Sequence, residues 1–205
     1  MSFRDIRRKY GQNYLKDPAV LFEMGEAISA NQLDNFVEIG PGLGALTNQI
    51  NKKGVNIIGV DIDAKNIEIL KTKFKGPANF QFINKDILKY DLTFSETNNR
   101  VVGNLPYNIS TQIILNLIES SSKIVDMHFL VQKEVAQKIT GNVSTKNWGK
   151  LAIKISAFFS SEILFDVAPD AFDIKPKVNS SFIRLLPKKS LDYDLSIKDN
   201  LFKII

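Results

Sequence analysis

Short apolar, β-branched runs alternate along this chain with stretches whose apolar residues return at helical spacing. Asp17 before Pro18 is a helix start, an N-cap acid followed by a proline at the first helical position, and the apolar spacing over 20–28 carries the helix on. Residues 35–39 read as a strand that breaks into a glycine-rich loop. A helix is predicted over 46–53, a strand over 55–60, a helix over 64–74, and strands over 79–84 and 100–103. Ser110 is read as the cap of a helix with Ile113, Ile114, Leu117 and Ile118 on one face, and 124–131 as a further strand. This strand–helix rhythm predicts an α/β fold with a mostly parallel, doubly wound sheet. After Lys133 the rhythm changes to two helical patterns, 133–140 and 150–159, then two β-rich runs, 163–167 and 178–186.

Composition narrows the class. At 205 residues with 44% hydrophobic content the chain suffices for one good core with a small appendage. With no cysteine it has no disulfide, thiolate metal site or cysteine nucleophile. The single histidine, His128, lies in an apolar run and is read as a packed core residue, and no metal site is expected. No stretch approaches the roughly 20 apolar residues of a membrane span, so a cytoplasmic protein without membrane contact is expected. The net charge of +5 gathers at two places, Arg4, Arg7, Arg8 and Lys9 near the start and Lys175, Lys177, Arg184, Lys188 and Lys189 late in the chain. Two basic flanks around a neutral body fit a polyanion, although solvated lysine-rich faces explain charge alone as well.

Residues 37–46 read Val-Glu-Ile-Gly-Pro-Gly-Leu-Gly-Ala-Leu, between a strand and a helix. Glycines there let a backbone come close to a ligand, and Gly40 and Gly42 with Asp61 about 20 residues on also satisfy a loose dinucleotide pattern. The loop by itself fits a nicotinamide enzyme and a methyltransferase equally. Two features favour the second. Glu38, just before the glycines, suits a cofactor with a cationic amino-acid moiety better than a pyrophosphate. Asp61 and Asp86 stand at successive strand ends, where such a sheet meets its ligand, placed for ribose hydroxyls and an adenine amine. Further on, Asn104-Leu-Pro-Tyr107 pairs a side-chain amide with a proline-fixed turn and an aromatic ring, a set suited to a flat base carrying an exocyclic amine.

These residues, with Lys9-Tyr-Gly-Gln-Asn-Tyr-Leu15 and the segment from Phe172 to Ser180, resemble the ribosomal RNA adenine N6,N6-dimethyltransferase family, in its small-subunit branch. The likeness runs from about Arg7 to Pro187. It implies a Rossmann-like sheet with an antiparallel strand, S-adenosylmethionine as cofactor, and dimethylation of two adjacent adenosines near the 3′ end of 16S rRNA in the immature small subunit by a monomer. Carried over residue by residue, Asn13 and Leu15 close over the cofactor from a basic arm, 1–16. Gly40 lines the cofactor, Asp61 holds its ribose and Asp86 its adenine. Asn104 borders cofactor and target, with its amide oxygen and the Pro106 carbonyl accepting from the target amine, while Tyr107 and Phe172 sandwich the flipped base. The catalytic body is expected over 17–189, with 190–205 as the start of a helical domain cut short. This chain departs from the family pattern at Asp61, where a Glu is usual, at Ile174 in place of a proline, and at Trp148 in place of a tyrosine.

Overall fold

A computed structural model describes residues 13–52, 54–76 and 79–188. The basic start of the chain and the expected helical segment 190–205 lie outside the described residues. A seven-stranded sheet organises the body, from β1 (Asn35–Ile39), β2 (Asn56–Asp61), β3 (Phe80–Asn84), β4 (Asn99–Asn104), β5 (Ile124–Gln132), β6 (Phe159–Val167) and β7 (Ser180–Pro187) in the order β3-β2-β1-β4-β5-β7-β6. The first five strands pair in parallel, and β7 runs antiparallel between β5 and β6. The helices are α1 (Pro18–Ile28), α2 (Ala45–Ile50), α3 (Ala64–Lys73), α4 (Ser110–Asn116), α5 (Lys133–Ile139) and α6 (Lys150–Phe158). Among the described residues no helix is long and apolar enough to cross a membrane.

Local chemistry explains most of these boundaries. The Asp17 carboxylate accepts the Ala19 and Val20 N–H groups at 2.9 and 3.2 Å, capping α1 as its sequence requires. Ser110 is not a cap: it is the first residue of α4, and its hydroxyl donates back to the Tyr107 carbonyl at 3.3 Å. Strand β6 starts at Phe159, four residues before the expected run, because α6 ends at Phe158 without a connecting loop. Polar Ser160, Ser161 and Glu162 hide that strand from a search for apolar runs.

Strand order reverses between β1 and β4, which places the ligand crevice of such a sheet at the carboxyl ends of those two strands. They approach so closely there that a Cβ at Gly103 would lie 2.5 Å from the Ile39 carbonyl oxygen. At the opposite end of β4, Arg100 is buried between two acids. It donates to both oxygens of Asp126 at 2.8 and 2.7 Å, to Asp34 at 2.8 Å and to the Ile28 carbonyl at the end of α1 at 2.6 Å. Burial works against its charge, but the two carboxylates outweigh that and hold the guanidinium above its ordinary pKa.

His128 is buried as expected, stacked on Phe182 with ring centroids 5.9 Å apart, and neither ring nitrogen has a hydrogen-bond partner. Burial pushes its pKa down to about 4. Its contribution to stability is therefore complete above the unfolded value near 6.5 and fades as pH falls toward 4, by about 3 kcal/mol in all. Glu38 works the other way: burial pushes it up to about 7, so stability fades by a similar ~3 kcal/mol as pH rises from 4.5 through 7. The two slopes oppose each other between about pH 4.5 and 6.5. His128→Leu should leave the Glu38 slope uncompensated, so that the urea midpoint of the variant falls with rising pH in that window while the parent's stays flatter.

Candidate active site

The crevice at the β1–β4 switch point holds a cavity of about 240 Å³. Its wall brings together Asn13, Gly40, Gly42, Asp61, Asp86, Asn104, Pro106 and Tyr107, which the sequence places far apart. A second cavity of about 210 Å³ shares Tyr14, Gly40, Gly42 and Asn104 with the first and adds Leu15 and Glu38. The polar anchors arrive from strand ends: Glu38 in β1, Asp61 closing β2, Asp86 just past β3 and Asn104 closing β4.

The glycine loop is held from below. Gly42 has φ +55°, a left-handed conformation that costs a side chain, and a Cβ there would meet Tyr14 Cε1 at 2.9 Å. Its N–H donates to Asp61 Oδ2 at 3.1 Å. Asp61 also accepts from Asn66 Nδ2 at 3.1 Å and from the Asp63 N–H at 2.8 Å. A carboxylate has about four acceptor positions, so roughly one remains for a ligand hydroxyl. Burial raises the Asp61 pKa, and the three hydrogen bonds counteract it. Asp86 spends Oδ1 on the Leu88 N–H at 3.0 Å, which leaves its other oxygen for a donor in the cavity. Glu38 is fully buried and accepts the Thr47 hydroxyl at 2.6 Å.

On the far wall, Asn104 Nδ2 donates to the Asn13 carbonyl at 2.8 Å. Only the nitrogen end of an amide can make that bond, so it fixes Oδ1 as the end offered to the cavity. The Tyr107 hydroxyl shares a 2.6 Å hydrogen bond with Ser180, and burial raises its pKa. Tyr107 is thus a neutral ring tethered at its para position, with its body on the cavity wall.

Three expectations change. Phe172 does not line the cavity: it is 0% exposed, packed in the core cluster with Leu15, Leu21 and Met24, and paired with Leu15 through an isolated antiparallel bridge. A buried ring has no face for a base, so a sandwich of Tyr107 and Phe172 is absent from this conformation. Apolar packing against the arm claims the aromatic instead. The Pro106 carbonyl accepts the Ile109 N–H at 3.2 Å and so closes the turn into α4, whereas the Leu105 carbonyl accepts no hydrogen bond among the described residues. The Leu105 carbonyl is therefore the less committed acceptor of the two. The late basic cluster is partly neutralised as well, Lys175 by Asp170 at 2.6 Å and Arg184 by Glu162 at 2.5 Å.

Sequence reading missed Ile62 and Ile87, which line the cavity as apolar walls. Each directly follows an acid at or just past a strand end, and that spacing was a usable signal of an apolar wall beside a polar anchor. Tyr14, Asn66 and Ser180 were also missed, since their roles depend on contacts across 52 to 73 positions.

A family model described as ribosomal RNA adenine dimethylase matches residues 3–202. The chain belongs to that family. A curated relative from Marinobacter nauticus, ribosomal RNA small subunit methyltransferase A, is 41% identical over 189 residues, covering 91% of this chain and 68% of the relative. Among solved structures, a dimethyladenosine transferase from Plasmodium falciparum superposes with a TM-score of 0.82 at 28% identity, over 93% of this chain and 69% of that one. The 23S rRNA methyltransferase ErmE follows at 0.78 and 25%, over 92% and 75%. The Rossmann-like methyltransferase fold expected from the sequence is the fold these structures share.

Proposed function

We propose that this chain transfers methyl groups from S-adenosylmethionine to N6 of two adjacent adenosines near the 3′ end of 16S rRNA, two groups to each, in the assembling small ribosomal subunit. The observation that carries the reading is the Asn104 amide oxygen fixed toward a cavity whose other wall is a glycine cradle with two strand-end acids. The similarity to small-subunit relatives, at 41% identity, supports the 16S substrate.

The residues fit the cofactor. Asp61 has an acceptor left for the ribose, Asp86 one for the adenine amine, and Ile62 and Ile87 supply apolar faces for the ring. The second cavity, with Glu38 beneath it, suits the cationic amino-acid end. When bound, the cofactor supplies a methyl group activated by the positive charge on its sulfur.

The chain's own residues then act on the adenine. Its amine is a poor nucleophile because the lone pair is delocalised into the ring. In the first transfer, hydrogen bonds from the amine to Asn104 Oδ1 and to the Leu105 carbonyl hold its two protons out of the ring plane and favour a tetrahedral nitrogen; the alkylated nitrogen is acidic and releases one of them, and the remaining N–H is held in the second transfer. Position and alignment are the protein's main contribution, so neutral acceptors suffice without a strong base. The base must first leave its stack, at a cost of a few kcal/mol, and Tyr107 offsets part of this by stacking. Tyr107→Ala should raise the KM for RNA by roughly ten- to hundredfold, equivalent to about 1–3 kcal/mol. Tyr107→Phe keeps the ring but loses the Ser180 tether and should cost less than tenfold. Steady-state kinetics with RNA as the varied substrate checks both.

Calorimetric titration with S-adenosylmethionine tests the cofactor assignment, with one site per chain expected. A reading as a 23S enzyme draws on the likeness to ErmE, which is nearly as strong in fold. Labelled methyl transfer to immature small subunits, set beside naked 23S RNA, separates the two, and the small subunit should be the better substrate.

A further inference from the structure

Asn66 on α3 is 2% exposed and uses both ends of its side-chain amide. Its Oδ1 accepts the Tyr14 hydroxyl at 3.0 Å, and its Nδ2 donates to Asp61 Oδ2 at 3.1 Å. That same oxygen accepts the Gly42 N–H. One buried amide therefore joins the N-terminal arm, the strand-end acid and the glycine loop. The residue before Tyr14 is Asn13, whose carbonyl takes the Asn104 amide. Tyr14 is held again through its main chain, with the Asp173 carboxylate accepting its N–H at 3.1 Å and its carbonyl accepting the Asp173 N–H at 3.0 Å.

We propose that Asn66 is a positioning residue for methyl transfer, acting through Tyr14 and Asn13 to keep Asn104 Oδ1 turned toward the target base. The proposal rests on the function proposed above. A planar amide moves as a unit, so whatever displaces Asn66 Nδ2 from Asp61 also moves the anchor of the Tyr14 hydroxyl. A ligand hydroxyl donating to Asp61 binds the carboxylate at one end of this path, and the orientation of Asn104 is read at the other. Occupancy of the cofactor site and readiness of the amine-gripping group are coupled along four hydrogen bonds and one peptide unit. Asp61 Oδ2 thus lies within hydrogen-bond reach of Asn66 and the Gly42 N–H together.

The alternative is that these bonds only brace α3 and the arm. Asn66→Ala, Tyr14→Phe and the double variant of the full chain separate the two readings, by kcat at saturating cofactor and RNA, cofactor Kd by calorimetry, and the thermal midpoint. Asn66→Ala should lower kcat roughly ten- to hundredfold, with a smaller change in cofactor Kd, because misplacement of a reacting group falls on the chemical step. Tyr14→Phe should lower it roughly three- to tenfold. The double variant should be no slower than Asn66→Ala, since both cut the same link. An unchanged kcat with a lowered thermal midpoint overturns the proposal, as do losses that multiply in the double variant. Should Asn66→Ala fail to fold, Tyr14→Phe, which removes one hydroxyl, carries the kinetic test. Parent chain that fails to bind S-adenosylmethionine overturns the functional reading itself, and that result is read before any variant is compared.

Discussion

Asn104→Ala should bind S-adenosylmethionine yet lose methyl transfer by about 10²- to 10³-fold in kcat, the scale of removing one preorganised hydrogen-bonding group from a water-excluded site. The side chain does two jobs with its two ends. Nδ2 fastens the arm through the Asn13 carbonyl, and Oδ1 faces the cavity, where the proposed function makes it the acceptor for the target amine. Losing the first should weaken cofactor affinity about fivefold, the worth of one net hydrogen bond near 1 kcal/mol. Losing the second removes the group that turns the nitrogen lone pair out of conjugation, a loss felt only in the chemical step. Asn104→Asp sharpens the test. It restores an acceptor but sets a carboxylate oxygen against the Asn13 carbonyl at a position where a 2.8 Å donor stood, so it should not rescue transfer. Single-turnover methylation beside calorimetry separates the two effects. Normal dimethylation by Asn104→Ala would remove the amine-gripping role from this residue.

The second large effect concerns the opposite end of the same strand. Arg100→Leu should destabilise the protein by about 3–5 kcal/mol, because it strands two buried carboxylates and an uncapped helix carbonyl. For a body of this size that lowers the thermal midpoint by roughly 10 °C. The Coulombic gain of the cluster is largely spent on desolvating three charges, so a matched replacement behaves differently. Arg100→Leu combined with Asp34→Asn and Asp126→Asn should recover much of the loss. Arg100 also lies over the Phe36 ring at 5.3 Å and thereby locks β4 to β1, the two strands that carry the crevice. The single variant should lose cofactor binding only as the global fold is lost, and a midpoint that falls by a degree or less would show that the cluster contributes little.

What was legible in the sequence follows the range of the interactions involved. The parallel half of the sheet could be read because its strands are short, largely apolar runs and α1 carries its own start in Asp17 and Pro18. The site's frame could be read for the same reason: glycines after β1, acids closing β2 and following β3, and an amide closing β4 are local signals at strand ends. Phe172 was misplaced because an aromatic in a familiar motif gives no sign of whether it faces solvent or the arm, and burial against Leu15 and Leu21 decides that. Pro106 marked the turn correctly, but which carbonyl the turn consumes is a matter of its hydrogen bond to Ile109. The Asn66 amide was beyond reach, since its link to the arm runs to Tyr14, 52 positions earlier, although Asp61 is only five positions before it.

The central claim is that this crevice presents an activated methyl group to an adenine amine of the small-subunit RNA. Immature small subunits incubated with the chain and S-adenosylmethionine, then digested and analysed by mass spectrometry of the nucleosides, test it directly. The account predicts N6,N6-dimethyladenosine at two adjacent positions near the 3′ end of 16S rRNA, absent with Asn104→Ala. Methylation confined to 23S rRNA, or unmethylated adenosines alongside intact cofactor binding, would contradict it.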